Sequence, residues 1–278
     1  MQFAHTEIAG YRWVSNPNDQ YIGKSLQTYG EWSYGEIVLL SRYLAPDARI
    51  VEVGANIGAH TVPLARLVPD GHVIAFEPQR LCFQMLCANA INNDCINITP
   101  YNMAVGNAAG SVQMADIDPR KLFNFGGIGV AQDTIKPASA ALHGETPVVR
   151  LDDMIGDAFP VNLIKCDAEG MELNVIQGAA SLIAKHKPIL YLEDDRTALS
   201  QALYEAVRGM GYEVWWHPVP LFRADNLAGN DENIFGRIYS LSLFCCHPSR
   251  PLDLTELQKI ERFEDHPLVG RLSPDRSC

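Results

Sequence analysis

The stretch R-I-V-E-V-G-A-N-I-G-A-H-T, residues 49–61, changes character at its middle. Three of its first five residues, Ile50, Val51 and Val53, are apolar and β-branched, the signature of a short buried strand. Gly54 and Gly58 then bracket a turn, and a helical pattern runs over 61–68. A strand that passes through a glycine turn into a helix is where doubly wound α/β folds bind nucleotides. Glycine lets the chain turn tightly there and lets a ligand approach the backbone. The dinucleotide fingerprint needs a second glycine at position 56, but Asn56 stands there, and Ala59 fills the tolerant third place. A side chain at that point obstructs a pyrophosphate on the helix N-terminus and still admits a nucleoside without phosphates.

The same rhythm extends outward from the turn. Residues 72–76, 161–166 and 188–192 read as core strands, and 96–101 as a weaker one. Helical patterns fall between them at 81–92 and 171–186. Strands alternating with helices imply right-handed crossovers and a mostly parallel sheet. Near the C-terminus two strands, 212–217 and 238–246, follow without a helix between them, which predicts an antiparallel pair at one edge. Residues 27–44 read as mostly helical, part of a helical N-terminal extension over 1–45. Residues 116–147 are rich in Gly, Ala and Pro and too long for an ordinary connection, so they read as a loop or lid over a substrate.

Composition sets the outer limits. Lys and Arg total 22 against 33 Asp and Glu in 278 residues, a net charge of -11. That balance argues against nucleic acid or an anionic membrane as partner and favours a neutral or cationic ligand. No apolar run reaches the roughly 20 residues of a membrane helix. Residues 1–11 lack the basic and apolar regions of a signal peptide. The 7 cysteines form no C-x-x-C pair, so a reducing, cytoplasmic setting is the expectation. Cys245 and Cys246 should face opposite sides of a strand, one as a core thiol and one as a surface thiol. Trp215 and Trp216 alternate likewise, and the outward ring is a candidate contact in a homo-oligomer.

Glu77 ends the 72–76 strand, about 20 residues after the glycine turn, where an acid accepts hydrogen bonds from both ribose hydroxyls. A ribose without a phosphate partner points to S-adenosylmethionine rather than NAD. The alternative is that Glu77 only caps the helix beginning at Pro78.

These pieces together resemble the FkbM family of S-adenosylmethionine-dependent methyltransferases. The likeness is carried by Gly30-Glu31-Trp32-Ser33 with Glu36, by residues 51–58, and by Phe76-Glu77-Pro78. It continues in Leu151-Asp152-Asp153, in I-K-C-D-A-E-G-M-E at 164–172, and in Gly178-Ala179. It runs over about 30–193, and Asn233-Ile234-Phe235-Gly236 in a late loop, 217–237, also fits it. The resemblance implies one class I methyltransferase domain over 1–278. Its Rossmann-like α/β fold would have a seven-stranded, mostly parallel sheet with an antiparallel strand pair at the C-terminal end. It also implies that Glu52, Gly54, Asn56 and Gly58 hold the methionine part of the cofactor, Glu77 the ribose, and Met103 and Ala104 the adenine. Members commonly methylate hydroxyls of sugars and of sugar-bearing natural products or glycolipids.

In that fold the fourth strand ends beside the cofactor's methyl group, which places Asp167 there. A hydroxyl is a poor nucleophile, and a base that takes its proton contributes typically about 100- to 10,000-fold. Asp167 or Glu169 is the candidate base, with Lys165 orienting it or stabilising the oxyanion and His60 within reach of the acceptor. Glu172 reads as an acid at a helix start. Asp167, Glu193 and Asp194 end neighbouring strands, so they are candidate ligands for Mg²⁺, which prefers hard oxygen donors. Two rival classes are a catalytically silent cofactor-binding module and a nicotinamide-dependent oxidoreductase.

Overall fold

A computed structural model describes residues 2–115, 117–130, 145–156 and 158–265. In chain order the elements are β1 (Ala4–Ile8), β2 (Tyr11–Ser15), α1 (Ile22–Tyr29), α2 (Gly35–Ser41), β3 (Arg49–Val53), α3 (Thr61–Leu67) and β4 (His72–Phe76). They continue with α4 (Arg80–Asn92), β5 (Ile98–Tyr101), β6 (Ala104–Val105), β7 (Gly110–Gln113), β8 (Glu145–Val149), α5 (Leu151–Met154) and β9 (Leu163–Cys166). The last are α6 (Glu172–Gln177), α7 (Ala180–His186), β10 (Ile189–Glu193), α8 (Thr197–Gly209), β11 (Glu213–Pro220), β12 (Tyr239–Cys246) and β13 (Gln258–Lys259).

The main sheet runs β13-β11-β12-β10-β9-β3-β4-β5. Strands β10, β9, β3, β4 and β5 pair in parallel, while β12 pairs antiparallel with both β10 and β11. This is the class I methyltransferase arrangement with one strand more than the seven expected. The addition is the two-residue β13, which pairs with Trp215 and Trp216 of β11. Its Lys259 ammonium lies 5.6 Å from the ring centre of Trp215, which remains partly exposed. The strand order reverses at β3 and its neighbours, the place where such sheets open a crevice at the C-terminal strand ends.

Both faces of the sheet are covered, which explains one departure from the sequence reading. Cys245 packs with Val207 and Leu203 of α8, whereas Cys246 packs with Leu40 of α2 and with Leu254. The two thiols do point to opposite faces, but both are buried, because neither face of the sheet meets water.

The N-terminal extension is corrected more substantially. It begins with the antiparallel β1–β2 hairpin rather than with helix. Two buried asparagines, Asn89 in α4 and Asn93 at its C-terminal cap, dock that hairpin by imitating a strand edge. Asn89 accepts from Val14 N–H at 2.6 Å and donates to Val14 and Ile57 carbonyls, and Asn93 exchanges a similar pair with Arg12. Their donor and acceptor atoms satisfy backbone groups that would otherwise be orphaned.

The single helix expected over 171–186 is two helices, divided at Gly178. A Cβ there would sit 2.0 Å from the Gly106 carbonyl oxygen. The close backbone approach fixes glycine at this point and breaks the helix.

Of the expected lid, position 116 and residues 131–144 lie outside the described residues. Residues 145–147 belong to β8, in a small sheet ordered β6-β8-β7. The described part of the loop is tied down. Asn16 and Asn18 donate to the Pro119 carbonyl, Gln20 N–H to the Phe123 carbonyl, and Phe123 N–H to the Asn18 carbonyl.

Candidate active site

A cleft partly open to solvent lies at the C-terminal ends of β3, β4, β9 and β10. Its floor begins at the glycine turn. Gly54 has φ +81°, and a Cβ on it would meet the Asp167 carbonyl oxygen at 1.7 Å. Asp167 N–H donates to the Val53 carbonyl at 2.9 Å. The ends of β3 and β9 are therefore pressed together, with only a glycine fitting between them, and Asp167 is delivered to the cleft.

Every backbone N–H of the turn is already used. Gly54 and Ala55 donate to the Phe76 carbonyl, and Gly58 donates to the Ala55 carbonyl. Asn56 N–H donates to Glu77 Oε2 at 2.8 Å, and Ile57 N–H to Asn56 Oδ1 at 2.9 Å. The other Glu77 oxygen, Oε1, accepts from Gln79 N–H at 2.7 Å. Glu77 lies ahead of the next helix, which starts at Arg80 with Gln79 as its N-cap, so it holds the Gln79 N–H without capping the helix, and it also lines the cleft. Burial pushes its carboxyl up to about 7, against the lowering effect of the two amides.

Among the residues assigned to a cofactor, Gly54, Asn56, Glu77, Met103, Ala104 and Asp167 line the cleft. Glu52 and Gly58 do not. Glu52 is buried with one oxygen, Oε2, lacking a hydrogen-bond partner, and its carboxyl is raised to about 7 chiefly by burial. Gly58, at φ +86°, packs against Leu86 where α3 is about to begin.

The charge cluster at 165–172 separates into three parts. Lys165 is buried at the back, its Nζ 3.6 Å from Glu36 Oε2 and 3.8 Å from Asp167 Oδ2. Burial opposes its charge, but the carboxylates of Glu36 and Asp167 hold it above its ordinary value. Glu36 in turn accepts from Ser33 and Ser240 hydroxyls at 3.0 and 2.8 Å. His60 joins this interior group and not the cleft. Its Nε2 meets the Trp32 carbonyl at 2.9 Å, and burial and then Lys165 depress its protonation. Glu172 is structural: its Oε1 accepts from Ala168 and Gly170 N–H and closes the loop before α6.

Asp167 and Glu169 remain in the cleft. Glu169 has φ +54°, and its Oε2 accepts from Arg196 at 2.6 Å. Burial, followed by the Asp167 charge, raises the Glu169 carboxyl to about 7.

The expected metal ligands regroup. Asp194 is buried with its side chain on the far side of the strand end, where it accepts from Ser200 Oγ at 2.8 Å. The period of two along a strand accounts for this, because Glu193 faces the cleft and its successor cannot. Glu169 takes the vacated place, and Asp167, Glu169 and Glu193 each offer a carboxylate oxygen within 4.8 Å of the others. Glu193 Oε2 is buried without a hydrogen-bond partner. Burial, then the neighbouring Asp167, raises this carboxyl well above its usual range.

The remaining wall was largely missed by sequence reasoning. Tyr21, Ile22 and Trp32 line it from the N-terminal side, and Leu221, Ile238, Tyr239, Ser240 and Leu241 from the C-terminal side. Phe235 clamps two of them, stacked on Tyr21 at 6.2 Å and edge-on to Trp32 at 6.1 Å. The advance signals were Trp32 within the quoted Gly30–Ser33 piece and the late loop 217–237, which holds Leu221 and Phe235. Of the aromatic loop 123–127, Asn124, Gly126 and Gly127 reach the cleft, while Phe125 is buried and its carbonyl accepts from Gln79.

Several known proteins are similar to this chain. The chain is 24% identical over 153 residues to the methyltransferase sdnD of Sordaria araneosa, covering 46% of this chain and 59% of that protein. It is 24% identical over 145 residues to methyltransferase 1 of Beauveria bassiana, covering 48% and 58% respectively. It thus spans under two thirds of the length of either relative. Among solved structures, the methyltransferase FkbM of Methylobacillus flagellatus superposes with a TM-score of 0.49 at 20% identity, covering 77% of this chain and 48% of that one. The family model for the methyltransferase FkbM domain matches residues 52–214. That match runs from Glu52 in β3 to Val214 in β11 and takes in more than half of the sequence: the chain belongs to the FkbM methyltransferase family.

Proposed function

We propose that the protein transfers a methyl group from S-adenosylmethionine to a hydroxyl of a sugar or sugar-bearing small molecule. The observation that carries the choice of cofactor is the full use of amides in the glycine turn. The N–H groups of residues 54–58 all donate internally, which argues against a pyrophosphate seated on the turn. An unphosphorylated nucleoside needs no such donors, and Glu77 stands ready to accept from ribose hydroxyls. Gly54 and Asn56 would border the methionine part, and Met103 and Ala104 the adenine.

Bound there, S-adenosylmethionine supplies a methyl carbon made electrophilic by a cationic sulfur. The residues of this chain do the rest. They hold the acceptor oxygen in line, which is mainly a positioning task, and they take its proton. As the carbon–oxygen bond forms and the carbon–sulfur bond breaks, the hydroxyl proton passes to Asp167. Lys165, fixed by Glu36, keeps that carboxylate oriented. The experiment is calorimetry with S-adenosylhomocysteine and with NAD. Micromolar binding of the first and none of the second is expected, and the reverse would sink the reading.

A divalent cation is a second reading of the same strand ends, favoured by the unpartnered Glu193 Oε2 facing Asp167 and Glu169. Mg²⁺ held by those three carboxylates would lower the acceptor hydroxyl's pKa. Turnover in EDTA tests it. Activity lost there and restored by Mg²⁺ supports the metal, and undiminished activity leaves Asp167 acting alone.

A further inference from the structure

The cleft is one-sided in charge. Glu77, Asp167, Glu169, Glu193 and Asp195 line it, while no Lys, Arg or His does among the described residues. The nearest cations are committed elsewhere: Lys165 sits behind the floor between Glu36 and Asp167, and Arg196 is held by Glu169. Arg120 of the loop forms a forked pair with Asp118, with contacts of 2.9 and 2.8 Å. A bound S-adenosylmethionine brings one net positive charge, and it leaves several carboxylates unmatched. Glu193 Oε2 has no partner, and Asp195 keeps only a 3.8 Å contact to Arg196.

Beside the acids runs the apolar part of the lining, its Leu241 carbonyl accepting from Asp194 N–H. Trp32 and Tyr239 line the cleft there, and Tyr239 is 51% exposed at its rim. Carboxylates facing aromatic rings are the combination that recognises an organic ammonium group, through charge on one side and ring faces on the other.

We propose that the acceptor is an organic amine, protonated at neutral pH, whose ammonium meets Glu193 and Asp195 while its apolar body lies along Trp32 and Tyr239. An amino sugar carrying an aromatic or aliphatic substituent is the chemical class. The proposal rests on the methyltransferase reading above and narrows its substrate. Protonation also explains how such an acceptor is methylated at oxygen, since an ammonium nitrogen has no lone pair to attack the methyl carbon. Anionic acceptors, including phosphorylated or uronic sugars, are excluded by repulsion.

The test uses three glycosides of equal size on protein saturated with S-adenosylhomocysteine: phenyl 2-amino-2-deoxyglucoside, its N-acetyl derivative and phenyl glucuronide. Calorimetry should rank the amine about five- to tenfold tighter than the neutral glycoside, as one partly exposed charge pair allows. The glucuronide should show no binding. Asp195→Asn, at an exposed position, should remove most of the amine's advantage, and 0.5 M salt should reduce it. Glucuronide binding as tight as the amine's, or no binding by any of the three at millimolar concentration, overturns the proposal. Failure to bind S-adenosylhomocysteine at all would instead overturn the methyltransferase reading, so the two failures are distinct.

Discussion

The two walls of the cleft are built from different materials. The strand-end wall is backbone and charge: Gly54 against the Asp167 carbonyl, Asn56 N–H on Glu77, Lys165 behind Asp167. The other wall is apolar side chain, with Tyr21 and Trp32 gathered around Phe235. The first lies within residues 52–214, which the family model matches, and the second lies outside them. Backbone contacts at such distances tolerate almost no substitution, so that wall is fit for a fixed ligand such as a cofactor. A wall of rings only needs a complementary surface, and it can be changed one side chain at a time. Under the proposed function, cofactor and acceptor would meet between a rigid half and an adjustable half.

If that contrast holds, the harshest variant belongs to the first wall. Gly54→Ala would force a Cβ to within 1.7 Å of a backbone oxygen at φ +81°, so the β3 and β9 ends must part. Loss of about 3 kcal/mol or more of stability is expected, together with all detectable S-adenosylhomocysteine binding. Thermal unfolding and calorimetry measure both, and wild-type binding in this variant would break the comparison outright. Asp167→Asn comes next. It should slow transfer about 100- to 10,000-fold while S-adenosylhomocysteine still binds. A variant that turns over normally would move the proton-accepting role to Glu169.

The same division explains what could be read in advance. The strands at 49–53 and 72–76 coincide with β3 and β4 residue for residue, because a parallel sheet covered on both faces leaves an unbroken apolar run in the sequence. Glu77 and Asp167 were legible because strand ends are where such sheets expose charge. Asp194 was not, since only the register of β10 decides which of two adjacent acids faces the cleft. The β1–β2 hairpin escaped notice because its docking depends on Asn89 and Asn93, far away in sequence. Nor does any periodicity announce that Tyr21, Trp32 and Tyr239 share one wall: it is assembled from segments about 200 residues apart.

Glu77 allows a sharper test of the first wall through pH. Burial raises its folded-state carboxyl to about 7, as it does for Glu52 and Glu169. A raised acid binds its proton more tightly in the folded state than in the unfolded chain. Its stabilising contribution is therefore complete below about pH 4.5 and lost as pH rises through about 7. The free protein should accordingly melt at a lower temperature at pH 8 than at pH 5.5. Cofactor binding should move the other way, because ribose hydroxyls donate best to the ionised carboxylate. S-adenosylhomocysteine affinity should rise about tenfold between pH 6 and 8, and Glu77→Gln should flatten that rise. An unchanged pH response in the variant would mean that another group carries it.

The smallest effect belongs to the second wall, and it sharpens the contrast most cleanly. The Tyr239 ring is 51% exposed at the cleft rim, so removing it opens no cavity and breaks none of the ring contacts around Phe235. Tyr239→Ala should leave the melting temperature and S-adenosylhomocysteine affinity at wild-type values. What it removes is apolar surface that an acceptor would cover, a few tens of square ångströms at roughly 25 cal/mol per Å², or about 1 kcal/mol. The affinity for phenyl 2-amino-2-deoxyglucoside should therefore fall about three- to tenfold, with the cofactor product unaffected. If S-adenosylhomocysteine binding weakens in step, Tyr239 serves the cofactor and the two walls are not separate. If neither affinity changes, the rim is uninvolved and the acceptor lies deeper, against Trp32.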